Sequence, residues 1–249
     1  MAEALLRIKA LSRRFGGIVA TDQVSLDIAP GEIHALIGPN GAGKTTLIAQ
    51  LSGALQPDTG SIHFGGANIT AMPQHARVGL GLARSFQITS IFRDSTVLDN
   101  IALAVQAASG SSLSFWRPVA KERALFEAAR SFLSLIGLED REHALAATLA
   151  HGEQRQLEVG LALATRPKLV LLDEPMAGMG PDESERMIAL IHKLKGSVAI
   201  LLVEHDMDAV FRLAGRISVL VAGRVIATDT PAAIRSDAEV KKAYLGDEG

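Results

Sequence analysis

Cysteine, long apolar runs and a surplus of either charge are all missing from this chain of 249 residues. Without cysteine, disulfide bonds and thiolate metal sites are excluded. The longest apolar runs, such as residues 198–203, are much shorter than the roughly 20 residues of a membrane-spanning helix, so we expect no bilayer crossing by this chain. The 25 basic and 27 acidic residues leave a net charge of −2 without a basic stripe, so we expect no nucleic-acid partner.

Apolar residues make up 48% of the chain, which is enough for one sizeable core. Residues 6–28 and 60–69 alternate apolar and polar positions, which predicts an N-terminal antiparallel β subdomain. Short apolar runs at 34–37, 169–172 and 198–203 alternate with helical spacing. This order predicts a single α/β domain over residues 1–249, with a mostly parallel sheet covered on both faces.

Two further segments differ from this alternation of strands and helices. Residues 88–152 show little strand pattern and include many good helix formers, so we expect a helical subdomain inserted in the core. Residues 110–114 within it are expected to form an exposed loop, anchored by Phe115 and Trp116. Residues 229–249 are expected to form a C-terminal tail.

A glycine-rich segment lies between a predicted strand and a predicted helix. It fits the pattern G-x-x-x-x-G-K-[ST] and consists of Gly38, Pro39, Asn40, Gly41, Ala42, Gly43, Lys44 and Thr45, followed by Thr46. Its glycines let successive backbone N–H groups turn toward one anion, and the helix points its positive end at the same place. Lys44 would reach the β- and γ-phosphates and the Thr45 hydroxyl would bind Mg²⁺. A plain glycine-rich turn would not require this strand and helix around it.

Two acids end the apolar run at 169–172. Hydrolysis of a bound triphosphate needs a held Mg²⁺ and a group that orients or deprotonates water. Asp173 at the strand end suits the metal shell, and Glu174, which points elsewhere, suits the water. The alternative is that the two acids cap the next segment, because Pro175 makes a turn. With the phosphate loop upstream, the pair favours an enzyme over a passive binder.

Residues 149–154, just before a predicted helix, read Leu-Ala-His-Gly-Glu-Gln. This stretch resembles the signature Leu-Ser-Gly-Gly-Gln of the ATP-binding cassette (ABC) ATPases, a P-loop NTPase family. Gln87 resembles the glutamine that joins the core to the helical insertion, and His205 resembles the switch histidine. Phe15 matches the aromatic that the family places on adenine. Taken alone, Gln87 could be a surface residue, His205 a helix-start or core residue and Phe15 a core residue. Their order along the chain carries the resemblance.

The resemblance implies ATP and Mg²⁺ as cofactors and two ATPase subunits facing head to tail. The signature of one subunit would contact the ATP of the other through Leu149, Ala150, His151, Gly152 and Glu153. Glu174, His205 and Gln87 would be catalytic, and Thr45, Gln87 and Asp173 would hold the metal. The partners implied are a second ABC ATPase subunit in a homo- or heterodimer, two integral membrane permeases and a separate solute-binding protein. The chain would then lie at the cytoplasmic face of the membrane through the permeases.

Two departures from the family pattern concern ATP contacts. Ala150 stands at the signature serine, His151 at the first glycine of the pair and Glu153 at the glutamine. One lost donor to a charged group would cost about 1.5–3 kcal/mol if nothing replaced it. Residues 177–180 lack the aspartate that is common in the loop after the catalytic glutamate, which puts crosstalk between two ATP sites through that residue in doubt.

Several strings resemble the larger ATPase of branched-chain amino acid importers. They lie at residues 15–17, 151–158, 177–181, 204–207 and 243–246. Similar ATPases serve urea and short-chain amide uptake, so the solute stays open. A channel-free ABC ATPase of the iron–sulfur assembly type and a nucleotide-gated module that barely hydrolyses are the alternatives from other classes. Glu174 argues against the second of these.

Overall fold

A computed structural model of the chain describes residues 3–85, 91–109 and 119–245. The strands in these ranges are β1 (Leu6–Phe15), β2 (Ile18–Ile28), β3 (Ile33–Ile37), β4 (Thr59–Phe64), β5 (Ala67–Asn68), β6 (Leu82–Arg84), β7 (Leu169–Asp173), β8 (Ala199–Val203), β9 (Arg216–Val221) and β10 (Arg224–Asp229). The helices are α1 (Lys44–Ser52), α2 (Gln74–Gly79), α3 (Val97–Ala108), α4 (Val119–Ile136), α5 (His151–Ala164), α6 (Pro181–Leu194), α7 (Met207–Leu213), α8 (Pro231–Ser236) and α9 (Ala238–Leu245). None of the helices in the described ranges has the length and apolar character to span a membrane.

Two sheets form the fold. The larger has the order β10-β9-β3-β8-β7-β6, in which every neighbouring pair is parallel except β10 and β9. The smaller has the order β2-β1-β4-β5 and is antiparallel. Every residue of β3, β7 and β8 is buried, as expected for parallel strands covered on both faces. The predicted fold class, a mostly parallel α/β core with an N-terminal antiparallel sheet, is therefore confirmed.

Alternate residues of β7 supply two separate cores. Leu169 and Leu171 pack with α1 and the antiparallel sheet. Val170 and Leu172 pack with the helical layer, in which α3, α4 and α5 contact one another. The parallel sheet is thus fixed between two apolar layers, and this holds the carboxyl ends of its strands in place.

Several short elements have no counterpart among the sequence predictions: α2, β6, α8 and α9. The helix predicted just after the signature-like stretch begins within that stretch, at His151. Residues 110–114, the expected exposed loop, and its expected anchor, Phe115 and Trp116, lie outside the described residues. The bounds of the inserted helical subdomain, 88–152, and of the C-terminal tail, 229–249, remain predictions, although the tail contains α8 and α9.

Arg77 is fully buried and ties α2 to the end of α1. Its Nη1 donates to the carbonyls of Gln50 and Leu51 at 2.8 and 2.7 Å, and its Nε donates to the carbonyl of Met72 at 2.8 Å. The carbonyls in the last turn of a helix lack hydrogen-bond donors within the helix, and here the Arg77 guanidinium supplies such donors.

We expect Arg77→Met to lower the free energy of unfolding by about 3 kcal/mol, because buried carbonyls lose their donors. Urea denaturation of the isolated chain measures the change. Arg123→Met is the matched control, because Arg123 is exposed and pairs with Glu127 on the surface of α4. Equal urea midpoints for the two variants would contradict the role given to Arg77.

Candidate active site

The phosphate loop connects β3 to α1 and is fixed by close backbone contacts. A Cβ at Gly38 would lie 2.0 Å from the carbonyl oxygen of Leu220, and one at Gly43 would lie 2.1 Å from that of Ala20. Gly43 also has a φ of 105°, a conformation that side chains disfavour. Only glycine fits these two positions, which place the loop between β9 and β2.

Lys44 lies at the first position of α1 and is almost completely buried. Its Nζ donates to the carbonyl of Gly38 at 2.6 Å and to that of Pro39 at 3.1 Å, so the ammonium group lies over the loop. Burial lowers the pKa of Lys44, and the charges of Glu174 and Asp173 oppose that shift. The loop therefore combines a cation with the positive end of α1 in one place.

Asp173 ends β7, and only 2% of its side chain is exposed. Arg84, at the end of β6, donates from Nη2 to Oδ2 of Asp173 at 3.0 Å. Burial raises the pKa of Asp173, while the adjacent Arg84 guanidinium acts in the opposite direction. The Asp173 carboxylate and the exposed Thr45 hydroxyl are oxygen donors of the kind that Mg²⁺ prefers, so they fit a metal bound together with phosphate groups.

Glu174 follows Asp173 and leaves the strand in an unusual backbone conformation. Its φ is 51°, which is uncommon for a residue with a Cβ. Its N–H donates to the carbonyl of Val203 at 2.9 Å, and this bond fixes it beside the end of β8. Strained backbone of this kind clusters at functional sites, and here it occurs at a half-buried glutamate directly after Asp173.

His205 follows β8, and 65% of its side chain is exposed. Glu204, just before it, is buried and accepts the N–H of Met176 at 2.9 Å and that of His205 at 3.1 Å. Burial raises the pKa of Glu204, and these backbone donors oppose the shift. Glu204 thus joins the segment after Glu174 to the segment that carries His205.

The parallel sheet brings most of the predicted catalytic residues together. The phosphate loop follows β3, the acid pair ends β7 and His205 follows β8, and these three strands are neighbours in the sheet. The carboxyl ends of neighbouring parallel strands form the usual ligand crevice of an open α/β sheet. Gln87 lies outside the described residues. Phe15, at the end of β1, is 46% exposed, with the Arg13 guanidinium 5.1 Å from its ring centroid.

The signature-like stretch begins α5, apart from the phosphate loop. Leu149 is buried, whereas Ala150 and His151 are exposed. Glu153 is held within the chain, because it accepts the Ala150 N–H at 2.9 Å and the Arg141 Nε at 2.9 Å. Within the ranges that the structure describes, no hydrogen bond joins this stretch to residues 38–46.

Three residues at the site escaped the sequence analysis: Arg84, Glu204 and Glu183. Arg84 pairs with Asp173, and Glu183 accepts the N–H of Gly152 at 3.1 Å. Each acts on a residue distant in sequence. A charged residue at the end of a short apolar run was the only available signal, and it applied to Arg84 and Glu204.

Comparison with known proteins gives consistent matches over the chain. The family described as "ABC transporter" matches residues 21–177, and the family described as "Branched-chain amino acid ATP-binding cassette transporter" matches residues 224–249. The high-affinity branched-chain amino acid transport ATP-binding protein LivG of Escherichia coli K12 is 37% identical over 99% of this chain and 100% of its own length. BraF of Pseudomonas aeruginosa, which bears the same description, is also 37% identical over 99% of this chain and 100% of its own.

Solved structures of ATP-binding cassettes from ABC transporters also resemble this chain. The ADP conformation of MJ1267, an ATP-binding cassette of an ABC transporter, superposes with a TM-score of 0.86 at 29% identity. The similarity covers 99% of this chain and 100% of that one.

Proposed function

This chain belongs to the ABC transporter family and is an ATP-hydrolysing subunit, and we propose that it powers an importer of branched-chain amino acids. The observation that carries the choice of solute is the match of residues 224–249 to the branched-chain family. That segment lies outside the general family match at 21–177, so it adds an independent argument. Similarity to LivG and BraF along the whole chain supports the same solute class.

The chain's own nucleotide would bind at the carboxyl ends of β3, β7 and β8. Backbone N–H groups of the phosphate loop would hold the phosphates, and Lys44 would pair with the β- and γ-oxygens. Thr45, Asp173 and Gln87 would hold Mg²⁺, which supplies charge neutralisation on the phosphates when it is bound. Glu174 would take a proton from the attacking water, and His205 would contact the γ-phosphate.

The second half of the ATP site would come from a second ABC ATPase subunit. Ala150, His151 and Gly152 are at the start of α5, where the helix dipole favours an anion. In this chain the N–H groups of Ala150 and Gly152 donate to the carboxylates of Glu153 and Glu183. The separation of this helix start from the chain's own phosphate loop supports contact with the partner's nucleotide. Phe15 would stack on adenine, because its exposed ring lies at the end of β1.

Ala150 is the N-cap of α5 and has β-region dihedrals, φ −61° and ψ 160°, but no side-chain acceptor. We expect Ala150→Ser to stabilise the isolated chain by about 1 kcal/mol, since a serine oxygen at this position accepts a helix N–H. We also expect the ATP affinity of the assembled dimer to rise or stay unchanged, because the new hydroxyl can reach the γ-phosphate. Urea unfolding and nucleotide titration measure the two effects.

Ala147→Ser is the matched control, because Ala147 is exposed in the preceding turn and does not cap α5. A large loss of ATP affinity in Ala150→Ser, with Ala147→Ser unaffected, would mean that the alanine packs in the closed dimer.

An apolar groove of 380 Å³ between the core and the helical layer supports the proposal of permease partners. Val78 of α2, Phe92 from the segment before α3, and Leu103 of α3 line it and are 38%, 59% and 45% exposed. Glu158 of α5 adds a carboxylate to the same groove. A helix from the cytoplasmic side of a membrane permease would cover this apolar surface and thereby place the chain at the membrane.

Leucine uptake by the assembled transporter tests the proposal. The chain would be co-expressed with its partner ATPase, the permeases and the solute-binding protein, and the complex placed in vesicles containing ATP. We expect co-purification with the permeases and uptake of leucine but not of urea. Urea uptake would contradict the assignment of branched-chain amino acids and would favour urea as the solute. The absence of any multi-span partner would favour a channel-free ATPase.

The groove has its own matched pair of variants within this test. We expect Leu103→Asp to remove the chain from the permease complex, whereas Leu145→Asp, equally exposed but outside the groove, should stay bound. Equal retention of both variants would place the permease contact elsewhere.

A further inference from the structure

The carboxylate of Glu183 bridges two segments that are far apart in sequence. Its Oε1 accepts the N–H of Gly152, in the signature stretch, at 3.1 Å. Its Oε2 accepts the N–H of Gly180, in the loop after Glu174, at 3.1 Å. Both donors lie at helix N-termini, those of α5 and α6, where a negative charge is favourable. The bond to Gly180 caps α6, but α6 does not need the bond to Gly152.

Neighbouring contacts strengthen this bridge. A Cβ at Gly152 would lie 2.6 Å from Oε1 of Glu183, so a side chain at this position would displace the carboxylate from its place. A Cβ at Gly178 would lie 3.4 Å from Cε1 of His151, so the imidazole lies against the same loop. Two successive signature residues therefore lie against Gly178 and the first turn of α6.

The other end of this loop is fastened to the catalytic residues. The N–H of Ala177 donates to the carbonyl of Glu174 at 3.1 Å. The N–H of Met176 donates to the buried carboxylate of Glu204, which also holds the N–H of His205. Residues 174–180 thus extend from the catalytic glutamate to the signature stretch. The carboxylate of Glu204 accepts an N–H near one end of this segment, and that of Glu183 accepts an N–H at the other end.

We propose that Glu183 is a positioning residue that couples the chain's own ATP site to the signature it presents to the partner's ATP. It would provide a link between the two ATP sites in a chain whose residues 177–180 lack the aspartate expected there. A change at Glu174 and His205 on hydrolysis would then reach residues 174–180 through these contacts, and the bridge would pass it to the N–H of Gly152. Hydrogen bonds to a charged acceptor are stronger than those between neutral groups, so the Glu183 carboxylate holds the two segments together. The inference rests on the proposed function, since it needs two facing ATP sites.

Glu183→Gln is the test variant, because glutamine keeps the side-chain volume but has one acceptor oxygen for two N–H donors. In the complex with partner ATPase and permeases, we expect turnover to fall about tenfold and the Hill coefficient for ATP to fall to about 1. ATP binding by the isolated chain should not change. Asp182→Asn is the matched control, because it removes the same charge from the same turn of α6 and should keep both kinetic parameters.

Glu183→Asp provides a second variant in case glutamine destabilises the chain. It keeps the charge that caps α6 but is too short to reach both donors, so it should show the same loss of cooperativity. Unchanged cooperativity in both variants would overturn the inference, even with lower turnover, because a simple helix cap would affect stability and rate alone. A parent complex that hydrolyses ATP without cooperativity would overturn it too. A parent complex that does not hydrolyse ATP would instead contradict the proposed function.

Discussion

Lys44→Ala is expected to abolish ATP binding, with a loss of affinity of roughly a hundredfold or more. Lys44 is the cation of the phosphate loop, and its ammonium already lies over the loop carbonyls. Two hydrogen bonds to charged phosphates, at about 1.5–3 kcal/mol each, account for a change of this size. Titration of the isolated chain with a fluorescent ATP analogue measures the affinity.

Lys193→Ala is the control for this prediction, because Lys193 is exposed on α6 and distant in sequence from the loop. Its affinity should equal that of the parent. Circular dichroism of Lys44→Ala must show a folded chain, since the carbonyls of Gly38 and Pro39 lose a donor. Nucleotide retention by folded Lys44→Ala at the parent level would show that the phosphates bind elsewhere.

Glu174→Gln is expected to keep ATP binding but to reduce turnover by roughly 10²–10⁴-fold, the range typical of a lost general base. The amide has the same shape as the carboxylate, so the turn after β7 and its φ of 51° should persist. With hydrolysis blocked, ATP should hold two subunits together, and size-exclusion chromatography with Mg²⁺ and ATP should show a stable dimer.

The control is Glu139→Gln, which changes an exposed glutamate in the turn after α4. It should hydrolyse ATP at the parent rate and show no ATP-dependent dimer beyond that of the parent. Continued rapid turnover in Glu174→Gln would assign the base to another group.

The buried parallel strands were predictable because each is a short, continuous apolar run. β3, β7 and β8 have only buried residues, so periodicity and position defined them without further information. β6 has three residues and α2 has six, too few for a periodic pattern. Their conformations depend on tertiary contacts such as those of Arg77, which joins α2 to α1 from 27 residues away.

The active site likewise has parts that were predictable from the sequence and parts that were not. The phosphate loop and the acid pair are contiguous motifs whose chemistry depends on neighbours in sequence, and the sheet places both at one edge. Arg84 and Asp173 are 89 residues apart, Gly152 and Glu183 are 31 apart, and Met176 and Glu204 are 28 apart. A single sequence holds no spacing rule for such pairs, because the fold alone determines which elements meet.

The close contacts of Gly38 and Gly43 have a consequence for any survey of inactive variants. The loop that receives ATP is wedged between the main chain of Leu220 in one sheet and that of Ala20 in the other. A shift of either strand would therefore deform the loop. Substitutions that displace the main chain at Leu220 or Ala20 should thus cause a failure to bind nucleotide. Genetic screens would then score residues that never touch ATP together with those that do.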